Sequence, residues 1–323
     1  MTGITRRGAL ALPALWPLAA RGQEAWRPDR PLTLIAGFAP GGSIDYVARL
    51  VARELGPVLG QVVTVENRPG AGGNLATQAM LRAPADGHTL GFAAIHLATN
   101  PAMMNVGYDA RTDLQMVGRI SALPVVLLAS MKSGFETLAD LVRTGQRTEI
   151  PFGSGGVGTS SHLGVALLAR ATGIKYEHVV FRGGSPATQA LVAGDTAAMF
   201  EPVAPYHLDM KAAGQLRILT TLQSTPIAAM PDVPPITTLG YGPDVLFQSW
   251  HGLMVRPGTP EPILNRLHDA LATVVRGAAV QDALRRIAID PVPSESPAAF
   301  QAFYLSELER WSTIIREAGI RIL

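Results

Sequence analysis

The 323-residue chain predicts an α/β fold on a mostly parallel sheet, and three observations carry that expectation. Short apolar runs rich in β-branched residues alternate with stretches whose apolar residues recur every three or four positions, the periods of strand and helix in turn. Four strand ends run into loops of glycine and hydroxyl residues that open directly into helices. With 47% hydrophobic and only 16% charged residues, the chain can bury enough apolar surface for two domains.

Residues 1–23 stand apart from the rest. Arg6 and Arg7 precede an apolar run, Gly8 to Ala20, that ends in small residues, and it is too short and proline-broken to span a membrane. This is the pattern of an export signal, so the mature protein is expected in the periplasm. The segment carries Arg6, Arg7 and Arg21 and no acid, and its removal leaves 24 basic against 25 acidic residues. The high isoelectric point therefore says nothing of polyanions, and without a basic run interleaved with aromatics no nucleic-acid partner is expected. Cysteine is absent, which excludes disulfides, thiolate metal sites and a cysteine nucleophile.

From Pro31 the elements follow in order. Pro31 to Gly37 reads as a strand ending in Phe38-Ala39-Pro40-Gly41-Gly42-Ser43-Ile44-Asp45, with a helix from Ser43 to about Gly60. Ser43 is its expected N-cap, and Asp45 lies in the first turn, where the helix dipole favours a carboxylate. Val62 to Val65 is a short strand feeding Glu66 to Asn74, a second glycine loop before a helix through Leu81, and Thr89 to Ala94 is the next strand. Val125 to Ala129 reads as a buried strand, followed by a helix from Thr137. The third loop, Phe152 to His162, precedes a helix over 163–171, and the fourth, Arg182 to Pro186, follows the strand at 179–181 and opens a helix to Ala193. Strands are expected at 197–200, 216–220 and 250–255, with helices at 205–213, 260–275, 280–287 and 300–318, the last after Ser296-Pro297.

A helix that opens after a glycine turn leaves backbone N–H groups without partners, so each of these loops can receive an anion without lysine or arginine. Other chemistries find less support. Gly153-x-Gly155-x-x-Gly158 has the spacing of a dinucleotide fingerprint, with Glu177 downstream for a ribose hydroxyl, which leaves a dinucleotide-dependent enzyme as an alternative. There is no Gly-x-Ser-x-Gly elbow and no paired-histidine zinc motif, so no catalytic or metal-ligating residue is proposed and no cofactor is expected.

Several motifs in collinear order resemble the tripartite tricarboxylate transporter substrate-binding family, the Bug receptors. They are Phe38 to Asp45 with Ala48-Arg49, Val65 to Asn74, Ala85 to Leu90, Phe152 to Gly155 through His162-Leu163, Phe181 to Ala187, Pro231 to Pro234 and Trp250 to Leu253. The resemblance implies a type II periplasmic binding protein of Venus-flytrap form: two α/β lobes joined by two crossing strands, closing over a small carboxylate and delivering it to membrane transporter subunits. It further implies a monomer that is not an enzyme. One lobe would hold 24–128 and 250–323, the other 129–249, with crossings near 125–130 and 247–255. Ligand contacts would come from Phe38, Pro40, Gly41, Gly42, Ser43 and Asp45; from Ala71, Gly72, Gly73 and Asn74; from Gly155, Gly156, Val157, Gly158, Thr159 and Ser160; and from His96, Arg182 and Gly183. Phe181-Arg182 stands where Tyr-Lys is common in that family, and Glu201 where aspartate is often found, so the ligand is expected to differ from those of better-known relatives. A sensor uncoupled from transport is compatible with the same residues.

Overall fold

The computed structural model describes residues 26–320. The expected export signal at 1–23 lies outside them.

Two sheets share one strand. The first has the order β2 (Val63–Asn67), β1 (Leu32–Ala36), β3 (Thr89–Ala94), β9 (Gln248–Val255) and the first half of β4 (Gln115–Ser130), with β10 (Asp290–Pro291) on its edge. In the second, the other half of β4 lies between β8 (Leu216–Thr221) and β7 (Ala198–Pro202), followed by β5 (Ile150–Ser154) and β6 (Tyr176–Val180). The partners of β4 change at Pro124: Pro124 pairs Gln248 in the first sheet, and Val125 pairs Pro202 in the second. A proline has no N–H for a ladder, which suits the point where one ladder ends and another begins. The chain returns through residues 222–247 into β9, whose first residue meets the same boundary.

Two expectations need correction. The sheets are mixed, because β1 pairs parallel with β2 and β3, and β5 with β6 and β7, while every pairing of β4 and β9 is antiparallel. Long strands that carry the chain between two sheets enter each against the direction of its βαβ units. The strand expected at 125–129 begins ten residues earlier, since Gly118, Ser121 and Pro124 interrupt an apolar run that is nevertheless buried almost throughout. Register shifts beside Gly118 and Ser121 absorb those interruptions.

The helices cover both faces. On the first sheet lie α1 (Ser43–Leu59), α2 (Asn74–Leu81), the single turn α3 (His96–Thr99), α8 (Glu261–Arg276), α9 (Ala278–Arg285) and α10 (Pro297–Ala318). On the second lie α4 (Leu138–Gly145), α5 (Ser160–Thr172), α6 (Gly184–Ala193) and α7 (Pro205–Ala212). The apolar stripe of α1, from Val47 through Leu50, Val51 and Leu55 to Leu59, is buried as its spacing requires, and Gly60 closes the helix despite Pro57 in its last turn. At the other end of the chain, α10 seats Phe300, Tyr304 and Trp311 against the first sheet, where Glu307 accepts hydrogen bonds from the indoles of Trp250 and Trp311. Among the described residues no helix is long and apolar enough to cross a membrane.

Candidate ligand-binding site

The glycine and hydroxyl turns end β1, β2, β5 and β6 and face one another across the junction of the sheets. The N-cap of α1 is Gly42, not Ser43 as expected: Ser43 is the first helical residue and makes no capping bond, so its hydroxyl is free to face the junction. Thr159 precedes α5 and Gly183 precedes α6. The two halves touch directly, with Ala39 N–H donating to Arg182 O at 3.1 Å and Thr99 Oγ1 to Gly158 O at 2.5 Å.

Between them lies a small cavity, leaving ≈ 40 Å³ for the centres of water-sized molecules. One water needs roughly 10–15 Å³ by that measure, so the space suits a small solute. The first sheet and its helices contribute Phe38, Gly42, Ser43, His96, Ser249 and His251 to its wall; the second contributes Gly155, Thr159, Ser160, Ser161, Gly184 and Glu201. Among the described residues neither lysine nor arginine lines it.

The polar groups of this wall divide into committed and free. Gly155 N–H donates to Ser161 Oγ at 3.2 Å, and Ser161 donates in turn to Glu201 Oε2 at 2.6 Å. By contrast Ser160 Oγ and the Nδ1 atoms of His96 and His251 are buried without a partner among the described residues, a state that native proteins seldom leave without purpose. The amides of Ser43 and Ile44, in the first turn of α1, have no intrahelical acceptor either. Burial pushes the His96 and His251 imidazoles down to about 3, so both are neutral at pH 7. Burial pushes Glu201 up to about 7, opposed by the Ser161 hydroxyl.

Of the residues named from sequence, Phe38, Gly42, Ser43, His96, Gly155, Thr159 and Ser160 come together in this cavity. A larger cleft of ≈ 450 Å³ outside it gathers Ala71, Gly72, Gly73, Gly156, Val157 and Arg182, with Phe38 and Gly155 shared. The rest have other work. Pro40 and Gly41 form the exposed tip of their loop. Asp45 braces that loop instead of facing the cavity: it takes hydrogen bonds from Gly41 N–H at 3.0 Å, Arg49 Nε at 3.0 Å and Asn67 Nδ2 at 2.9 Å. Burial alone would raise its carboxyl, but these bonds, Arg49 foremost, hold it below the usual range. Asn74 accepts from Asn100 and Tyr108, Gly158 is tied to Thr99 and His162, and Gly183 packs against Ala39.

The dinucleotide spacing at 153–158 has a structural use. The amides of Gly155, Gly156 and Gly158 are taken by Ser161, Ser154 and His162 and are not free for a pyrophosphate. Sequence reading missed Ser161, Gly184, Ser249 and His251 as cavity residues. His251 stood in a recognised motif, and Glu201 stood out as a departure from one, the signals that could have found them. Among the described residues no cluster of three or more histidine, cysteine or acidic side chains could hold a metal.

A small cavity, rich in amides and hydroxyls, between two α/β bodies that share a crossing strand defines a two-lobed solute-binding protein. The chain belongs to the tripartite tricarboxylate transporter family receptors, whose family model matches residues 47–320. It is 32% identical to Protein BugT of Bordetella pertussis over 300 residues, 91% of each chain. Among solved structures it is similar to the periplasmic binding protein BugD, at a TM-score of 0.86 and 25% identity over 91% of this chain and all of that one. It is also similar to MatC from Rhodopseudomonas palustris, solved with bound malate, at a TM-score of 0.84 and 29% identity over 89% of this chain and 99% of that one.

Proposed function

We propose that this chain is an exported receptor that captures a small carboxylate in the cavity between the sheets and delivers it to membrane transporter subunits. It acts as a monomer, without cofactor, after loss of residues 1–23. Residues 24–128 with 250–323 move as one lobe and 129–249 as the other, about crossings near 125–130 and 247–255. The observation that carries the reading is the set of unpartnered polar groups around one small cavity: the α1 amides, Ser160 Oγ and two neutral imidazoles. Oriented amides in a water-poor site stabilise an anion without a counter-charge. The malate held by MatC, a member of similar fold and size, supports a carboxylate as the anion.

Gly42 provides the test. A Cβ built there meets nothing within 4 Å, and its φ of −73° and ψ of 175° suit valine, so Gly42→Val fills the cavity without straining the loop. In a thermal-shift panel of small mono- and dicarboxylates, at least one should stabilise the wild type, by about 2.7 kcal/mol at a hundred times its Kd. The variant should unfold at nearly the wild-type temperature and lose that shift. A panel in which only uncharged solutes stabilise the protein, or a shift that survives intact in Gly42→Val, contradicts the proposal.

A further inference from the structure

Among the described residues Glu201 is the only acidic one in the cavity wall, and neither lysine nor arginine lines it. It lies on β7, 7% exposed. Its Oε2 takes the Ser161 hydroxyl, the single hydrogen bond made to the carboxyl by a described residue. Oε1 lies so close to Gly184 at the start of α6 that a Cβ there would overlap it. Because Gly155 N–H already donates to Ser161 Oγ, the Ser161 proton is directed at Glu201. The starts of α5 and α6 therefore have an anion of the protein's own against them. A ligand carboxylate seated on the first-turn amides of α1, across the cavity from that charge, turns its other end to Glu201.

From this geometry we infer that Glu201 sets the specificity of the site: it selects a carboxylate whose far end donates a hydrogen bond, an ammonium or a hydroxyl, and it rejects a second carboxylate. The inference rests on the carboxylate-receptor reading and names which carboxylates it takes. Two carboxylates facing each other with no lysine or arginine between them repel, whereas a donor completes the acceptor that Oε1 leaves open.

The rejection is pH-dependent. The ionisable groups around Glu201 are His162 on α5, Tyr206 and His207 on α7, and His96 and His251 across the cavity; its β4 neighbour Val126 and the first turn of α6 bring none. Burial holds all four imidazoles down to about 3, with the neighbouring His178 adding to the effect at His162 and His96 at His251. Burial and the charge of Glu201 also keep the Tyr206 phenol protonated. Glu201, pushed up by burial to about 7, is the one that changes charge between pH 6 and pH 8. Once protonated, it becomes a donor to a second carboxylate, and a proton is taken up on binding.

The test is calorimetric titration with succinate, 4-hydroxybutyrate and 4-aminobutyrate, which share a four-carbon chain and differ at one end. At pH 8 the wild type should bind the hydroxy or amino acid at least about tenfold more tightly than succinate, and succinate should gain about tenfold on going to pH 6. Glu201→Gln, which keeps an acceptor for Ser161, should level the preference at pH 8 and abolish the pH dependence for succinate. Glu201→Asp, which restores the charge, should keep the wild-type ranking. Cooperative thermal unfolding confirms that the variants fold. Equal binding of succinate by the wild type at pH 8, or one ranking in wild type and Glu201→Gln alike, overturns the inference and leaves the receptor reading intact. Failure of every carboxylate to bind, these and the wider panel, overturns both.

Discussion

Taken from pH 7 to pH 5, the protein loses several kcal/mol of folding stability. His96, His162, His207 and His251 are buried and held neutral, down to about 3 from an ordinary 6.5. In the unfolded chain each takes a proton below about pH 6.5. Their contribution is therefore fully present above that pH and is lost as pH falls toward 3. At pH 5 each imidazole costs roughly 2 kcal/mol. Glu201 works in the opposite sense, because its folded value of about 7 lies above its ordinary 4.5, so its burial penalty eases as pH falls. It offsets roughly one of the four histidines over the same interval. The net loss is a large part of the roughly 5–15 kcal/mol that holds a domain folded. Denaturant midpoints at pH 7, 6 and 5 should fall steeply, and imidazole NMR signals of the folded protein should not titrate for these four residues above pH 5. A flat stability profile, or four imidazoles titrating near 6.5, contradicts their buried neutral state.

Gly158→Val should lower ligand affinity by about a hundredfold or more while changing folding stability by only about 1–3 kcal/mol. Gly158 has φ +76°, a conformation that a β-branched residue adopts only under strain. A side chain there would also overlap the amide of Asn100, which belongs to the other half of the clamp. The same residue's carbonyl takes the Thr99 hydroxyl at 2.5 Å, so the substitution strikes at a contact that holds the two halves together. The apolar cores lie on the sheets and are not touched. Titration of whichever carboxylate stabilises the wild type, beside denaturant unfolding of both proteins, separates the two effects. Wild-type affinity in the variant would show that closure at this contact is not needed for binding.

Much of the fold was legible because its signals are local. Glycine followed by hydroxyls marks where α1, α5 and α6 open, and Ser296-Pro297 marks α10, whose N-cap Ser296 accepts from Ala299 N–H at 3.0 Å. What escaped depends on partners far away in the chain. Strand direction is not written into an apolar run, so the antiparallel pairings of β4 and β9 could not be read. Pro124 argues against a central strand by local rules, yet it sits where β4 changes sheets and needs no ladder donor. Within the site, Ser249 and His251 alternate with Trp250 along β9, and period two places Ser249 and His251 on one face without saying which face meets the cavity. Asp45 carries the opposite lesson: a carboxylate at a helix start beside a binding loop is taken up by Arg49, Asn67 and the loop's own amide.

The central claim is that an anion is held here by amides and hydroxyls, away from any basic side chain. A crystal structure with a carboxylate that stabilises the protein tests it most directly. The account predicts the carboxylate against the amides of Ser43 and Ile44, with Ser160, His96 and His251 turned to the ligand and no lysine or arginine in contact. A carboxylate seated on Arg182 in the outer cleft, with the smaller cavity taking no part, would contradict it.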